Sequence, residues 1–443
     1  METIYSLVTL PINQNVAIIR ISGPETFFVV EKIFKDKITL GHDQVQYQKI
    51  YDENNEYIDE GLVLSFIGPN SFTGEDVVEL QFHGSLFVVK KIISMLVAFD
   101  LKQAEPGEFM KQAFMNNKMD LSQTEAINTL ILTKNKDLAK LATENINGKE
   151  SKVIHNIIKK LGEVLANIQI LIDYPENEDL PQYNLALINK NLKKYIISFE
   201  KMIDDSKRLI KVSRGIKVAL VGETNVGKST LLNTLLKEDR AIVSAIEGTT
   251  RDVIEKDLYL NGICLTLQDT AGIRATTDEI EKEGISRTNK TIKQADIVIK
   301  LLDGKKDLKK ETSALAYINK LNPNTIDVIT KGDLKSHKGY ITISALKNNI
   351  EELLQALELN IKTNFFDLSQ NSDSLLVTQN QIDQFSDALT HLKSGSEMIS
   401  VGHSADIIMF ELEQTLKIIG NIIGLEVDQD YMISLFATFC VGK

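Results

Sequence analysis

At 443 residues the chain has room for about three domains of ~150 residues, and its 43% apolar and 25% charged content suits a globular protein with sizeable cores. A formal net charge of −11 excludes a polycation, so any nucleic-acid partner has to be held by local basic patches or by shape. Two cysteines, Cys264 and Cys440, exclude a disulfide framework; with no basic start, no long apolar leader and no run near ~18 apolar residues, the expectation is a cytoplasmic protein without a membrane span.

The first 118 residues read as mixed α/β. "VAIIRISG" and "GLVLSFIG" are short apolar strands ended by glycine, and "SLFVVKKIISMLVAF" is an amphipathic helix. From about Leu121 apolar residues fall at helical spacing, with Ser122 and Glu125 as the expected capping box. "DYPENEDLPQYN" breaks that pattern with two prolines, and a second helical stretch runs to about Lys211. Strands and helices alternate from Arg214 to about Leu359, and helix returns from about Leu375. The expected fold is α/β plus all-α multidomain: an N-terminal α/β domain (1–118), a helical domain in two parts (119–212 and 372–443), and an α/β domain (213–371) inserted between them.

The inserted segment carries the strongest chemical signal. In "IKVALVGETNVGKST" an apolar strand runs into Gly222-x-x-x-x-Gly227-Lys228-Ser229, and a helical pattern follows. This is a phosphate-binding loop. Its glycines let backbone N–H groups around Asn225, Val226, Gly227, Lys228, Ser229 and Thr230 face an anion. Lys228 supplies charge for the β- and γ-phosphates, and the Ser229 hydroxyl can ligate Mg²⁺. "GTTRD" offers Thr250 as a second hydroxyl for Mg²⁺. "KDLYLNGICLTLQDTAG" reads as a hairpin turning at Asn261-Gly262 and ending in Asp269-Thr270-Ala271-Gly272, where Asp269 can hold Mg²⁺ from its outer shell and the Gly272 N–H can meet the γ-phosphate. Cys264, within the hairpin, reads as a small buried hydrophobe.

Base choice falls to "TIDVITKGD". The Asp333 carboxylate accepts from guanine N1–H and the 2-amino group, donors that adenine lacks, so the site selects GTP. The Lys331 stem can cover the ring, and the backbone of Ser344-Ala345 can meet the guanine oxygen. Guanine-nucleotide GTPases usually carry Asn where this chain has Thr330; the shorter hydroxyl predicts weaker nucleotide affinity than Thr330→Asn. Ras-type GTPases orient the attacking water with a Gln after the DxxG motif, whereas here that position is Ile273. Another polar group and another positive charge are therefore needed, and Arg274, Asp278, Glu279, Glu281 and Glu283 are all available in the segment that follows.

Taken together, "GETNVGKST", "AIVSAIEGTTRD", "DTAGIR" with "DEIEKEGI", "SFTGEDVVELQFHG", "PGEF…AF…NKMDLSQTEA" and the terminal "FCVGK" resemble the tRNA modification GTPase MnmE (TrmE) family over essentially the whole chain. The resemblance implies an N-terminal folate-binding-type, dimer-forming domain, a helical domain and an inserted Ras-like G domain. It implies that G domains pair across K⁺ held near Asn225, Ser244, Ile246 and Thr249, with K⁺ in the place of an arginine finger. It makes Glu281 the residue that orients the attacking water through a second water. Arg20, Glu79 and Lys118 match positions that hold a reduced folate, either 5,10-methylene- or 5-formyl-tetrahydrofolate. Gln112 and Thr224 depart from the family, which usually has Arg and often Pro there. The implied reaction modifies carbon 5 of the wobble uridine of certain tRNAs to an aminomethyl-type (carboxymethylaminomethyl) group. It uses a methylene-folate carbon and works with a flavoprotein partner, MnmG, in a heterotetramer built on the homodimer.

The tail "FCVGK" reads, by itself, as a lipid anchor, a frayed helix end or part of a site. Gly442 and Lys443 fall outside the usual prenylation box. The segment "DQDYMISLFATFC" reads as a short helix with Gly442 just past its end. The resemblance directs this tail at the folate site, with Lys443 on the ligand and the Cys440 thiol placed for chemistry. An Era- or Der-like ribosome-assembly GTPase without covalent tRNA chemistry is the alternative, and it leaves the first 120 residues and the tail unexplained. Six scattered histidines with no HExxH or Cys/His cluster exclude a recognisable transition-metal motif.

Overall fold

The computed structural model describes residues 2–34, 44–52, 54–173, 185–213, 215–237, 255–261, 263–269, 288–333, 339–365, 376–425, 429–439 and 442. The N-terminal elements run β1 (Ile4–Leu7), β2 (Gln14–Ser22), α1 (Thr26–Ile33), β3 (Gln44–Tyr51), β4 (Tyr57–Phe66), β5 (Val77–Gly84), α2 (Leu86–Ala98), β6 (Lys102–Gln103) and α3 (Glu108–Met115). Helices α4 (Leu121–Leu132), α5 (Lys136–Ile146), α6 (Lys149–Asp173) and α7 (Leu185–Ser213) follow. The next stretch holds β7 (Ile216–Gly222), α8 (Lys228–Lys237), β8 (Glu255–Leu260), β9 (Ile263–Asp269), β10 (Ile297–Asp303), α9 (Leu308–Ala314), α10 (Ala316–Leu321), β11 (Thr325–Thr330), β12 (Ile341–Thr342) and α11 (Glu351–Phe365). Helices α12 (Gln379–Val401), α13 (Ala405–Ile422) and α14 (Gln429–Phe436) close the described chain.

The residues pack as two compact units: Met1–Asn128, Asn145–Lys190 and Thr390–Lys443 form one, and Thr129–Glu144 with Asn191–Leu389 form the other. In the first, six strands lie in the order β3-β4-β5-β2-β1-β6, antiparallel except for the parallel β1–β6 pair. Along β2, Ala17, Ile19 and Ile21 are buried at period two, and they pack with Leu80 and Phe82 of β5 against α1 and α2. Helix α6 buries Ile154, Leu161, Val164 and Ile168 at spacings of a helical stripe and packs on α13, which buries Ile408, Leu412, Ile419 and Ile422.

In the second unit the sheet order is β12-β11-β10-β7-β9-β8, parallel except for the β8–β9 hairpin. Every residue of β10 is buried, as expected of a central strand covered on both faces. One face packs Val218, Leu220, Leu231 and Leu353 together; the other packs Ala219, Val221, Val298 and Ile318. Cys264 lies buried in β9, and burial pushes its thiol up to about 11, the behaviour of a packing residue. Among the described residues, no helix is long and apolar enough to cross a membrane.

Two local expectations shift. The capping box of α4 is Asp120 with Gln123, not Ser122 with Glu125: the Gln123 N–H donates to Asp120 Oδ1 at 2.9 Å and the Asp120 N–H to Gln123 Oε1 at 2.9 Å. Starting two residues earlier puts Ser122 inside the helix, where its hydroxyl donates to Asp120 Oδ1. Helix α14 ends at Phe436 rather than running to Gly442. Met432 and Phe436 of the helix, with Phe439 just beyond it, pack with Met110 of α3.

Gly107 makes the α3–α14 contact possible. It starts α3 at φ 71°, and a Cβ there would lie 2.5 Å from the Phe436 carbonyl oxygen. Gly107→Ala is expected to destabilise the protein by about 1–3 kcal/mol through the left-handed backbone and the clash, read as a lower midpoint in thermal unfolding. An unchanged midpoint would mean that the two helices part without cost.

Candidate functional site

The phosphate loop sits where the sequence puts it, between β7 and α8. Two of its glycines have separate structural reasons. A Cβ on Gly222 would lie 2.8 Å from the Leu301 carbonyl oxygen, so only glycine lets β7 pass β10 here. Gly227, at φ 109°, has open space where a side chain would project, which leaves the backbone accessible to an anion. Asn225 is also left-handed, at φ 63°. The Lys228 ammonium folds back on the loop, donating to the carbonyls of Gly222 at 2.6 Å and Glu223 at 2.7 Å. Ser229 and Thr230 lie exposed in the first turn of α8. The pairing of Leu220 with Asp269 brings the backbone end of β9 beside the end of β7.

The residues expected from the sequence to meet the base gather near the ends of β10, β11 and β12. The Thr330 hydroxyl donates to the Val226 carbonyl of the phosphate loop at 2.7 Å and lies 3.2 Å from the Leu302 carbonyl. Lys331, at φ 61°, pairs its ammonium with the Asp303 carboxylate. Burial pushes that carboxyl up, but the Lys331 ammonium and the Lys305 N–H outweigh it and hold it below the usual range. The Ser344 hydroxyl donates to Asp333 Oδ1 at 2.9 Å and holds the Asp333 carboxyl low, so it stands ionised to accept donors. The Thr234 hydroxyl of α8 donates to the Ala345 carbonyl at 3.0 Å, tying the base-side turn to the helix that follows the loop.

Two partners here escaped the sequence reading. Asp303 ends β10 and anchors Lys331; its signal is the "LLDG" strand end. Lys306 pairs with Glu223 of the phosphate loop and lies 3.4 Å from Glu311, and the Glu223 contact raises its pKa. Thr250, Ser244, Ile246, Thr249, Thr270, Ala271, Gly272, Ile273, Glu281, Cys440 and Lys443 lie outside the described residues, as do Arg274, Asp278, Glu279 and Glu283. Of the expected Mg²⁺ and K⁺ ligands, Ser229 and Asn225 are described, and both are exposed at the loop.

A second cluster lies in the N-terminal sheet. Strand register sets Arg20 of β2 opposite Glu79 of β5. Arg20 Nε and Nη2 reach Glu79 Oε1 at 2.8 and 2.7 Å, and Nη1 donates to the Gly442 carbonyl at 3.2 Å. Phe72 and Phe109 rings lie 5.5 and 5.6 Å from the guanidinium. The pair is largely buried, with 15% and 19% of the side chains exposed. Lys118 donates to the Pro69 carbonyl at 2.7 Å, and Asn116 donates to the Thr73 carbonyl at 2.8 Å. Both brace the loop that carries Phe72. Gln112 is buried, and its side-chain oxygen has no hydrogen-bond partner among the described residues. The two phenylalanines beside Arg20 were written in "SFTG" and "GEF", but nothing local marked them as its neighbours.

A phosphate loop on a mostly parallel sheet, with a TKGD strand end beside it, defines a P-loop protein of the GTPase class. Residues 3–118 match the family described as GTP-binding protein TrmE N-terminus, and residues 121–440 match the MnmE helical domain. The tRNA modification GTPase MnmE of Mycoplasma genitalium is 36% identical over 99% of both chains, and that of Mycoplasmopsis synoviae is 38% identical over 98% of this chain and 96% of its own. The chain belongs to the tRNA modification GTPase MnmE family, and it is a GTPase acting in tRNA modification. A crystal structure of Aquifex aeolicus Era bound to GDP.AlF4- is 22% identical over 40% of this chain and 66% of its own, with a TM-score of 0.27.

Asp333→Asn replaces an acceptor by an amide that can donate. GDP affinity is expected to fall at least about tenfold, since hydrogen bonds to a charged group are worth ~1.5–3 kcal/mol. Xanthosine diphosphate, with a carbonyl in place of the 2-amino group, should gain. Titration of both nucleotides against wild type and variant checks this, and parallel losses for the two would remove Asp333 from base reading.

Proposed function

We propose that the chain couples GTP hydrolysis in its P-loop unit to one-carbon chemistry on the wobble uridine of tRNA. Lys228 and the loop N–H groups hold the phosphates, Ser229 and Thr250 hold Mg²⁺, and Asp333 takes the guanine edge. Asp269 holds Mg²⁺ from its outer shell, the Gly272 N–H meets the γ-phosphate, and Thr270 and Ala271 line the nucleotide site between them. Ile273 cannot orient a water, so Glu281 takes that part. K⁺ bound by Asn225, Ser244, Ile246 and Thr249 in a G-domain dimer supplies the positive charge that an arginine supplies elsewhere. The exposed position of the Asn225 side chain and its left-handed backbone support this reading.

For the modification, Arg20, Glu79, Lys118 and Lys443 hold a reduced folate, which supplies a methylene carbon when bound. The carboxylates of such a ligand suit Arg and Lys, and the donors of its pterin edge suit Glu. Cys440 is the thiol placed for attack on uridine carbon 6 or on the one-carbon unit. The observation that carries the reading is the contact of Arg20 with the Gly442 carbonyl, next to Lys443 in sequence. The working assembly is a homodimer joined by a flavoprotein partner, MnmG, with tRNA as substrate.

GTP hydrolysis is expected to run at least about tenfold faster in K⁺ than in Na⁺, a small share of the ~10³–10⁵ that an arginine finger contributes. Equal rates in the two salts would rule out the K⁺ reading. Arg20→Ala and Cys440→Ser are each expected to abolish the wobble modification, read by mass analysis of tRNA nucleosides in cells carrying only the variant. Full modification with Arg20→Ala would make Arg20 a structural residue, and with Cys440→Ser it would make the cysteine packing.

A further inference from the structure

Thr330 closes β11 and is 5% exposed. Its hydroxyl lies 2.7 Å from the Val226 carbonyl and 3.2 Å from the Leu302 carbonyl. Both are acceptors, and a hydroxyl carries a single proton. The shorter contact takes that proton, so the donor of Thr330 is committed to the phosphate loop. A side-chain amide here would carry two protons and could serve the loop carbonyl and a second acceptor at once.

The second acceptor would be the base. A guanine with its N1–H and 2-amino groups on Asp333 offers only acceptors, N7 and O6, on its other edge. Asp333 lies three residues after Thr330, and the phosphates run to the loop that Thr330 holds. An N7 edge turned toward Thr330 would find that proton already used.

We propose that Thr330 is a positioning residue that fixes the phosphate loop through Val226 and leaves guanine N7 unread, so that base selection rests on Asp333. This rests on the guanine-nucleotide reading of the site. One consequence is a nucleotide that binds and leaves more readily than an Asn at this position would allow. Another is tolerance of purines altered at position 7.

The test compares GDP with 7-deaza-GDP, in which N7 is a C–H, by equilibrium titration of the full-length protein. Wild type is expected to bind the two within about twofold. Thr330→Asn should tighten GDP alone, opening a gap of roughly fivefold, the worth of one neutral hydrogen bond. Thr330→Ser keeps the proton and should keep the ratio near one. Thr330→Val loses it and should weaken both nucleotides alike, a pattern that loss of the loop tie produces and loss of base reading does not. A wild-type preference for GDP of fivefold or more overturns the proposal, as does an equal gain for both nucleotides in Thr330→Asn. If the Asn variant does not fold, the wild-type, Ser and Val ratios decide alone. Failure of wild type to bind GDP at all would instead overturn the nucleotide reading beneath it.

Discussion

A slip of one residue between β2 and β5 would turn Arg20 to the opposite face from Glu79, because neighbouring side chains on a strand point to opposite sides. The same holds where Leu220 meets Asp269 and where Asp303 meets Thr330. Buried apolar neighbours hold these registers. Ile19 and Ile21 flank Arg20 inside the core of the first sheet, and Leu302 and Ile329 sit side by side in the second. The apolar pattern thus does chemical placement: it decides which polar groups meet at a strand end.

The polar groups so placed are largely satisfied by the chain itself. Lys228 rests on two loop carbonyls, Lys331 on Asp303, Arg20 on Glu79 and a tail carbonyl. Such partners keep long cationic side chains ordered and partly out of water. A phosphate or carboxylate that arrives exchanges one acceptor for another, with less side-chain freedom left to lose. The Thr330 hydroxyl illustrates the limit of this arrangement, since a group with one proton cannot serve scaffold and ligand together.

The phosphate loop was legible because it is local. A strand, a Gly-x-x-x-x-Gly-Lys-Ser loop and a helix follow one another between Ile216 and Lys237, and the glycines have backbone reasons that the sequence pattern already encodes. What joins distant segments was not. Thr330 meets Val226 across 104 positions and Arg20 meets Glu79 across 59, and neither pairing leaves a mark on its immediate neighbours. The resemblance of the N-terminal motifs to a known family singled out Arg20 and Glu79, while the two phenylalanines around Arg20 went unnoticed. Helix ends were misjudged where a cap competed with a nearby look-alike: Asp120 captured the start of α4, two residues before Ser122. At α14 the apolar run continues past Phe436, but its side chains fill the space over α3 outside the helix.

The contact between Arg20 and Gly442 spans 422 residues. During synthesis at ~5–20 residues per second, the carbonyl that Arg20 binds is made roughly 20–80 s after Arg20 itself. Through that interval the first sheet can fold, and Arg20 can find Glu79, but the tail contact cannot exist. A nascent chain therefore passes through a stage in which the N-terminal pair is formed and lacks its carbonyl neighbour. A product that stops short of residue 442 lacks the backbone carbonyl that this arginine grips.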